Sequence, residues 1–294
     1  MIITRLLGGL GNQMFQYAAG RALAYRHKTE LKLDISGFKI VKGITPRDYG
    51  LSPFSVTGTF ASEKEVRCMK KPLTPLRFFL AGIGDLISGN EVITYKKEPF
   101  FHYDPAFQTF PDNVYLDGYW QSEKYFRDIE KIIRSEFTLK KEPDEPDKQM
   151  AEKISGSNAI SIHIRRGDYI ANPVTHNHHG VCPLEYYQTA INHMVTKCPD
   201  PHFYIFSDDP AWVKQNLAVH YPHTCVTHNL NIRDSSDLWL MSLCKHHIIA
   251  NSSFSWWGAW LSDNPEKMVI APQRWVNDPN VDTRDLIPDS WKKI

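Results

Sequence analysis

The sequence predicts an α/β protein in two halves, each built on parallel strands joined by helices. Three observations predict it. Residues 2–34 read as strand, glycine-rich loop, helix and strand, the order of a βαβ unit. From 159 to 271 short apolar strands alternate with amphipathic helices, the pattern of a parallel sheet covered on both faces. Between them lies LKKEPDEPDKQ at 139–149, with no apolar residue after Leu139 and with two prolines, the composition of a linker.

In the first half, the apolar run at 2–7 suits a buried strand and GGLGNQ at 8–13 a tight turn. Met14, Ala18, Ala22 and Tyr25 then fall on one helical stripe. Residues 31–34 form a second strand. From 36 to 111 the signal weakens, with helical pieces expected near 62–70 and 73–88 and a strand near 92–95. Residues 114–120 read as a strand and 122–137 as one helix, with Ser122 as N-cap and Glu123 in its first turn.

In the second half, Ile160, Ile162 and Ile164 alternate along a strand at 159–165. A loop rich in His, Asn and Pro follows at 170–181, and a helix begins at Pro183 with Tyr187, Ala190, Ile191 and Met194 on one face. Strands at 202–206, 224–227, 247–250 and 268–271 alternate with helices at 210–217, 234–244 and 253–261.

Composition excludes several classes of function. A chain of 294 residues has room for one large domain or two ordinary ones. The formal net charge of +1 leaves no electrostatic footprint for nucleic acid. No run approaches the ~20 apolar residues of a membrane helix, and the N-terminus lacks the pattern of a secretory signal. Five cysteines without metal or redox spacing read as buried free thiols, so a reducing cytoplasm is expected.

Ligands of open parallel sheets bind beyond the carboxyl ends of the strands, and that is where the polar residues fall. His163, Arg165, Arg166, Gly167 and Asp168 close one strand, with Gly167 giving the backbone freedom to turn. Asp208 and Asp209 close another, and Ser252 and Ser253 a third, just before a helix whose free amides suit phosphate. Two arginines and a Ser-Ser helix start would clamp a diphosphate; RRGD is equally a surface ion pair. Asp237 heads a helix, where a carboxylate can accept from the N1–H and N2–H₂ edge of guanine or simply complement the helix. The glycine loop fits neither the dinucleotide fingerprint nor a Walker pattern.

HIRRGDY at 163–169, GGLGNQMFQYAAGRALA at 8–24, FSDD at 206–209 and NSSFSWWGAWL at 251–261 together resemble the alpha-1,2-fucosyltransferases of glycosyltransferase family 11. The resemblance spans nearly the whole chain in order. It implies a GT-B-type α/β fold of two Rossmann-like domains with parallel sheets facing a cleft: an acceptor-side domain at 1–145, a GDP-fucose-binding domain at 150–275, and an extension at 276–294 that packs back on the first domain. It implies metal-free transfer of fucose from GDP-fucose to the 2-hydroxyl of a terminal galactose, in an oligosaccharide or glycolipid, with inversion. No cofactor is expected.

The resemblance also implies roles. His163 and Asp237 contact guanine. Arg165 holds the diphosphate with Arg166 nearby, and Ser252, Ser253 and the Phe254 amide bind phosphate. Gly11 and Asn12 face the donor. Phe254 departs from the polar residue of some relatives, so only its backbone role carries over.

Cleaving fucose from phosphate passes through an oxocarbenium-like state while charge grows on the leaving diphosphate, where Arg165 and the helix amides act. Arginine thus stands where other transferases use a metal, and Asp208 and Asp209 have a structural or ribose-side role. The base is open: Asp168, more simply an orienter of arginine, and Asp117 are rivals, with Tyr119, Trp120 and Gln121 as sugar contacts, or Tyr119 and Trp120 as core. His176, His178 and His179 belong to a mobile acceptor-side loop rather than a metal site, and Trp256, Trp257 and Trp260 are packing. The expected setting is bacterial and cytoplasmic, with peripheral contact at the inner face of the membrane. A different linkage or acceptor, or a nucleotide-sugar or glycan binder without turnover, are the rival functions.

Overall fold

The computed structural model describes residues 1–38, 47–70, 94–230 and 233–294, with the side chains of Asp168, Ala171, Val174 and Thr175 also left out. The helix expected at 73–88 lies outside the described residues. The chain divides into two compact units, Met1–Phe137 and Thr138–Ile294.

In the first unit, β1 (Ile2–Arg5), β2 (Leu31–Asp34), β3 (Thr59–Phe60), β4 (Thr94–Lys97) and β5 (Val114–Asp117) form one sheet in the order β3-β2-β1-β5-β4. Every pairing is parallel. Helix α1 (Leu10–His27) joins β1 to β2 and is buried over most of its surface. Tyr25, placed by its spacing on the buried stripe, is instead 52% exposed. Gly20 lets α1 meet the sheet, since a Cβ there would lie 2.9 Å from Thr4. Helix α2 (Glu63–Lys70) covers the sheet through Val66 and Met69, which cluster with Ile3 and Tyr115.

The single helix expected over 122–137 is broken. Ser122 caps a 3₁₀ turn, Glu123–Tyr125, a second turn spans Arg127–Ile129, and only α3 (Glu130–Glu136) is α-helical. The cause is the adjacent pair Tyr125 and Phe126, both buried. Tyr125 packs on Phe107 and Trp120 while Phe126 packs on Phe15, and one helical face cannot serve both clusters.

The expected linker at 139–149 is only partly one. Asp144 accepts from the Asp147 N–H and, with Pro146 in the first turn, starts α4 (Glu145–Ser155). The second sheet contains β6 (Asn158–Ile164), β7 (Pro201–Ser207), β8 (His223–Val226), β9 (His246–Ile248), β10 (Val269–Ala271) and β11 (Lys292–Lys293) in the order β11-β10-β9-β6-β7-β8, again parallel. Central β6 is buried on both faces, and its Ser161 Oγ lies 2.8 Å from His247 Nδ1 on β9.

Around this sheet lie α5 (Gly167–Ala171), α6 (Pro173–His179), α7 (Leu184–Val195), α8 (Pro210–Asn216), α9 (Asp234–Ser242) and α10 (Ser253–Leu261). Trp256, Trp257 and Trp260 are buried as packing. The tail at 276–294, expected on the first domain, belongs to the second unit: β11 pairs with β10, and Trp256 Nε1 donates to the Leu286 carbonyl at 2.9 Å. Its buried Leu286, Ile287 and Trp291 supply the apolar surface that holds it there. All five cysteines are free; Cys182, Cys198 and Cys244 are buried, but Cys68 and Cys225 are exposed. Among the described residues no helix is long and apolar enough to cross a membrane.

Candidate active site

Because β9, β6 and β7 are adjacent and parallel, their carboxyl ends deliver three loops to one edge. The first is RRGD. Arg165 Nη1 lies 3.0 Å from Asp208 Oδ2, and the Arg166 N–H donates to Asp208 Oδ1 at 2.8 Å. Arg166 Nε reaches Asp209 Oδ2 at 3.4 Å, and its guanidinium lies 3.9 Å from the centre of the Trp212 ring. Asp209 Oδ1 also caps α8 by accepting from the Trp212 N–H at 3.0 Å. FSDD therefore holds the two arginines in place.

Gly167 is needed for space rather than for a special dihedral: it is absent from the positive-φ glycines, and a Cβ there would lie 2.9 Å from Asp208 Oδ2. The Asp168 side chain lies outside the described residues.

His163 is 4% exposed, and its Nδ1 is buried without a hydrogen-bond partner among the described residues. Burial, reinforced by the Arg165 charge, pushes it down to about 3, so its ring is neutral at pH 7. The Phe254 ring lies 5.4 Å away.

Ser252 is the N-cap residue of α10, and its side chain makes no capping hydrogen bond. Ser253 and Phe254 form the first turn, where helix amides point outward. Asp237 lies in the first turn of α9 and accepts from Asn229 Nδ2 at 3.1 Å. Burial pushes its carboxyl up to about 6, against the opposing effects of Asn229 and His228.

Asn251, a residue missed in the sequence, ties this edge together. Its Nδ2 donates to the carbonyls of His179 and Trp275, at 2.9 and 3.2 Å, and its own carbonyl accepts from Tyr169 Oη at 3.3 Å. Its place before the Ser-Ser pair was the available signal. Tyr169 in turn stacks on His179 at 4.8 Å and lies 5.6 Å beneath the Arg165 guanidinium. The stretch expected as a mobile His-rich loop is thus largely α5 and α6, tied down at its C-terminal end. Among the described residues no group of three or more His, Cys, Asp or Glu is placed to hold a metal ion.

Gly11 and Asn12 belong to the first unit, inside the first turn of α1. Gly8, at φ +78°, makes the turn into it. Gln13 pins that turn, donating to the carbonyls of Gly8 and Asp48 at 2.9 Å each, and Gln16 Oε1 accepts from the Leu7 N–H at 3.0 Å. Asn12 Oδ1 accepts from Gln121 Nε2 at 2.7 Å, so Gln121 serves the loop.

At the carboxyl edge of the first sheet Arg5 Nη1 donates to Asp117 Oδ1 at 3.0 Å, and Tyr95 Oη donates to Asp117 Oδ2. Of the two residues left between sugar contact and core, Trp120 is core, at 0% exposure, and Tyr119 is 39% exposed. Glu98 was missed altogether. It accepts from the N–H groups of Tyr119 and Trp120, at 2.6 and 3.0 Å, and burial pushes it up to about 7. Within KKEP it looks like ordinary surface charge.

The sequence profile of Glycosyl transferase family 11 matches residues 87–294. The chain belongs to glycosyl transferase family 11. Two relatives extend over nearly its whole length. An alpha-1,2-colitosyltransferase of Escherichia coli is 32% identical, covering 100% of this chain and 99% of the relative. The O-antigen biosynthesis glycosyltransferase WbnK of Escherichia coli is 34% identical, covering 97% and 98%.

The family 11 fold agrees with solved structures. A NodZ alpha-1,6-fucosyltransferase soaked with GDP-fucose aligns with TM-score 0.51 and 15% identity over 88% of this chain and 91% of that one. An Arabidopsis thaliana FUT1 variant in complex with GDP aligns with TM-score 0.54 and 10% identity over 99% and 75%. These likenesses, with the two parallel-sheet units, establish a GT-B-type α/β fold.

Proposed function

We propose that this family 11 glycosyltransferase moves L-fucose from GDP-β-L-fucose to the 2-hydroxyl of a terminal galactose, inverting the anomeric centre without a metal. The observation that carries the reading is the strand-end pair Arg165–Asp208, 3.0 Å apart, on the same sheet edge as the start of α10, where the Ser252 side chain makes no capping hydrogen bond. A guanidinium and helix amides there would stabilise the charge that develops on the leaving diphosphate. Arg166, Ser252, Ser253 and the Phe254 amide complete the phosphate contacts. Asp237 takes the guanine N1–H and N2–H₂ edge, and neutral His163 contacts the same base. The acceptor is a galactose-terminated oligosaccharide or glycolipid, and the site of action is the bacterial cytoplasm, with peripheral contact at the inner membrane face. A galactoside 2-alpha-L-fucosyltransferase of Caenorhabditis elegans, 28% identical over 61% of this chain and 52% of its own, supports the linkage.

The test is transfer from labelled GDP-fucose to a panel of terminal galactosides, with linkage analysis of the product and Arg165→Ala as control. Full activity in Arg165→Ala, or product at another hydroxyl, would refute the assignment. A second reading, a donor carrying colitose in place of fucose, is favoured by the full-length 32% relative. Competition between the two GDP-sugars separates them.

A further inference from the structure

Asp147 is a carboxylate at 0% exposure, on α4, far in sequence from any residue given a role above. It is not needed to start its helix, because Asp144 supplies the cap. Its Oδ1 accepts instead from His228 Nε2 at 2.8 Å and from Asn229 Nδ2 at 2.7 Å. Asn229 is 1% exposed, so no water can readily replace its contacts.

The same Nδ2 donates to Asp237 Oδ1 at 3.1 Å. An amide nitrogen has two hydrogens, and here each goes to a different carboxylate. The amide oxygen, Oδ1, is left buried without a partner among the described residues. Turning the amide over would set that oxygen against two carboxylates, so the bridge dictates its orientation. A fully buried carboxylate, Asp147, and a half-buried one, Asp237, which would repel each other, are joined through one donor group, and the second is the residue assigned to guanine.

We propose that Asp147 and Asn229 are positioning residues for guanine recognition: Asp147 anchors the Asn229 amide, and that amide aims the Asp237 carboxylate at the base. The inference rests on the guanine reading of Asp237. Arg233 adds support from the outside, pairing with Asp144 at 2.6 Å and lying 3.9 Å from Asp147 Oδ2. Its N–H donates to the Asn229 carbonyl at 3.1 Å, joining the bridge to the start of α9.

The experiment measures binding of GDP and of ADP by calorimetry, with Tm, for the full chain and for Asn229→Leu, Asp147→Asn and Asp237→Asn. Leucine keeps the branched shape of Asn229 and removes both donors. A well-placed pair of base-edge hydrogen bonds discriminates by roughly 10-fold or more. The GDP-to-ADP affinity ratio should therefore fall by about 10-fold in Asn229→Leu and Asp147→Asn, with ADP affinity unchanged. Equal losses for both nucleotides would show a merely structural role and overturn the proposal, as would an unchanged ratio. If Asp237→Asn collapses the ratio while Asn229→Leu preserves it, the positioning role fails and the guanine reading stands. If Asp237→Asn preserves the ratio, the guanine reading itself falls. Should Asp147→Asn fail to fold, Asn229→Ser, with a single short donor, carries the same comparison.

Discussion

Replacing Asp208 with alanine removes two contacts at once: the 3.0 Å pair with Arg165 and the acceptor of the Arg166 N–H at 2.8 Å. The pair is partly buried, with side-chain exposures of 23% and 18%, so it escapes much of the solvent screening of a surface ion pair. The bond from the Arg166 N–H to the charged carboxylate contributes about 1.5–3 kcal/mol and the partly buried ion pair with Arg165 up to about 1 kcal/mol, giving a loss of roughly 2–4 kcal/mol. At about 2–4 °C per kcal/mol for a unit of this size, Tm of the second unit should fall by about 4–16 °C. Asp208→Asn keeps an oxygen for the Arg166 N–H and should lose about half as much.

Catalysis should respond differently from binding in the same variant. Without Asp208 the Arg165 guanidinium loses its orientation, but the diphosphate also loses a nearby negative charge. These effects oppose each other in GDP affinity, so Kd should move little. Orientation matters most when charge develops on the leaving group, so kcat should fall by about tenfold, short of the 100–1000-fold that removing an oxyanion donor costs. The assays are thermal unfolding by circular dichroism, GDP calorimetry and steady-state transfer kinetics. A Tm within about 1 °C of the parent, together with unchanged kcat, would refute this account of FSDD.

Glu98 is raised from 4.5 to about 7 by burial, against the two N–H bonds it accepts. Between those values the folded state holds a proton that the unfolded chain has lost, so stability should decrease as pH rises through that window and level off above it; an NMR titration midpoint near 4.5 would contradict this. Asp237 is raised to about 6 and must be ionised to accept from guanine, so GDP affinity should drop below pH 6 by up to about tenfold per unit, and Asp237→Asn should abolish the dependence. A Cβ on Gly118 would lie 2.4 Å from Glu98 Cβ, whereas one on Gly9 meets nothing within 4 Å. Denaturant unfolding should therefore show a loss of roughly 1–3 kcal/mol for Gly118→Ala and well under about 1 kcal/mol for Gly9→Ala. Transfer activity should persist in EDTA; loss restored by Mn²⁺ would overturn the arginine-based mechanism.

Much of this protein was legible in its sequence. The βαβ opening, the strand of AISIHI and the later alternation of strand and helix each rest on short windows of periodicity and turn residues. The rule that parallel strands present polar residues at their carboxyl ends then placed RRGD, SDD and NSS on one edge, because adjacent parallel strands all finish on the same side.

What tertiary structure alone decided depends on partners distant in the chain. Asp208 became the anchor of both arginines through contacts 42 and 43 residues back. Helix 122–137 broke because Tyr125 and Phe126 answer to different clusters, although each satisfies helical spacing locally. Glu98 acquired its raised proton affinity only from the 118–120 turn folded against it, and Asp147 reached Asn229 across 82 residues of chain. Periodicity and turn chemistry act within a few residues and can be read from the sequence. Desolvation and the pairing of charges are set by what the fold brings alongside, and no local window contains that information.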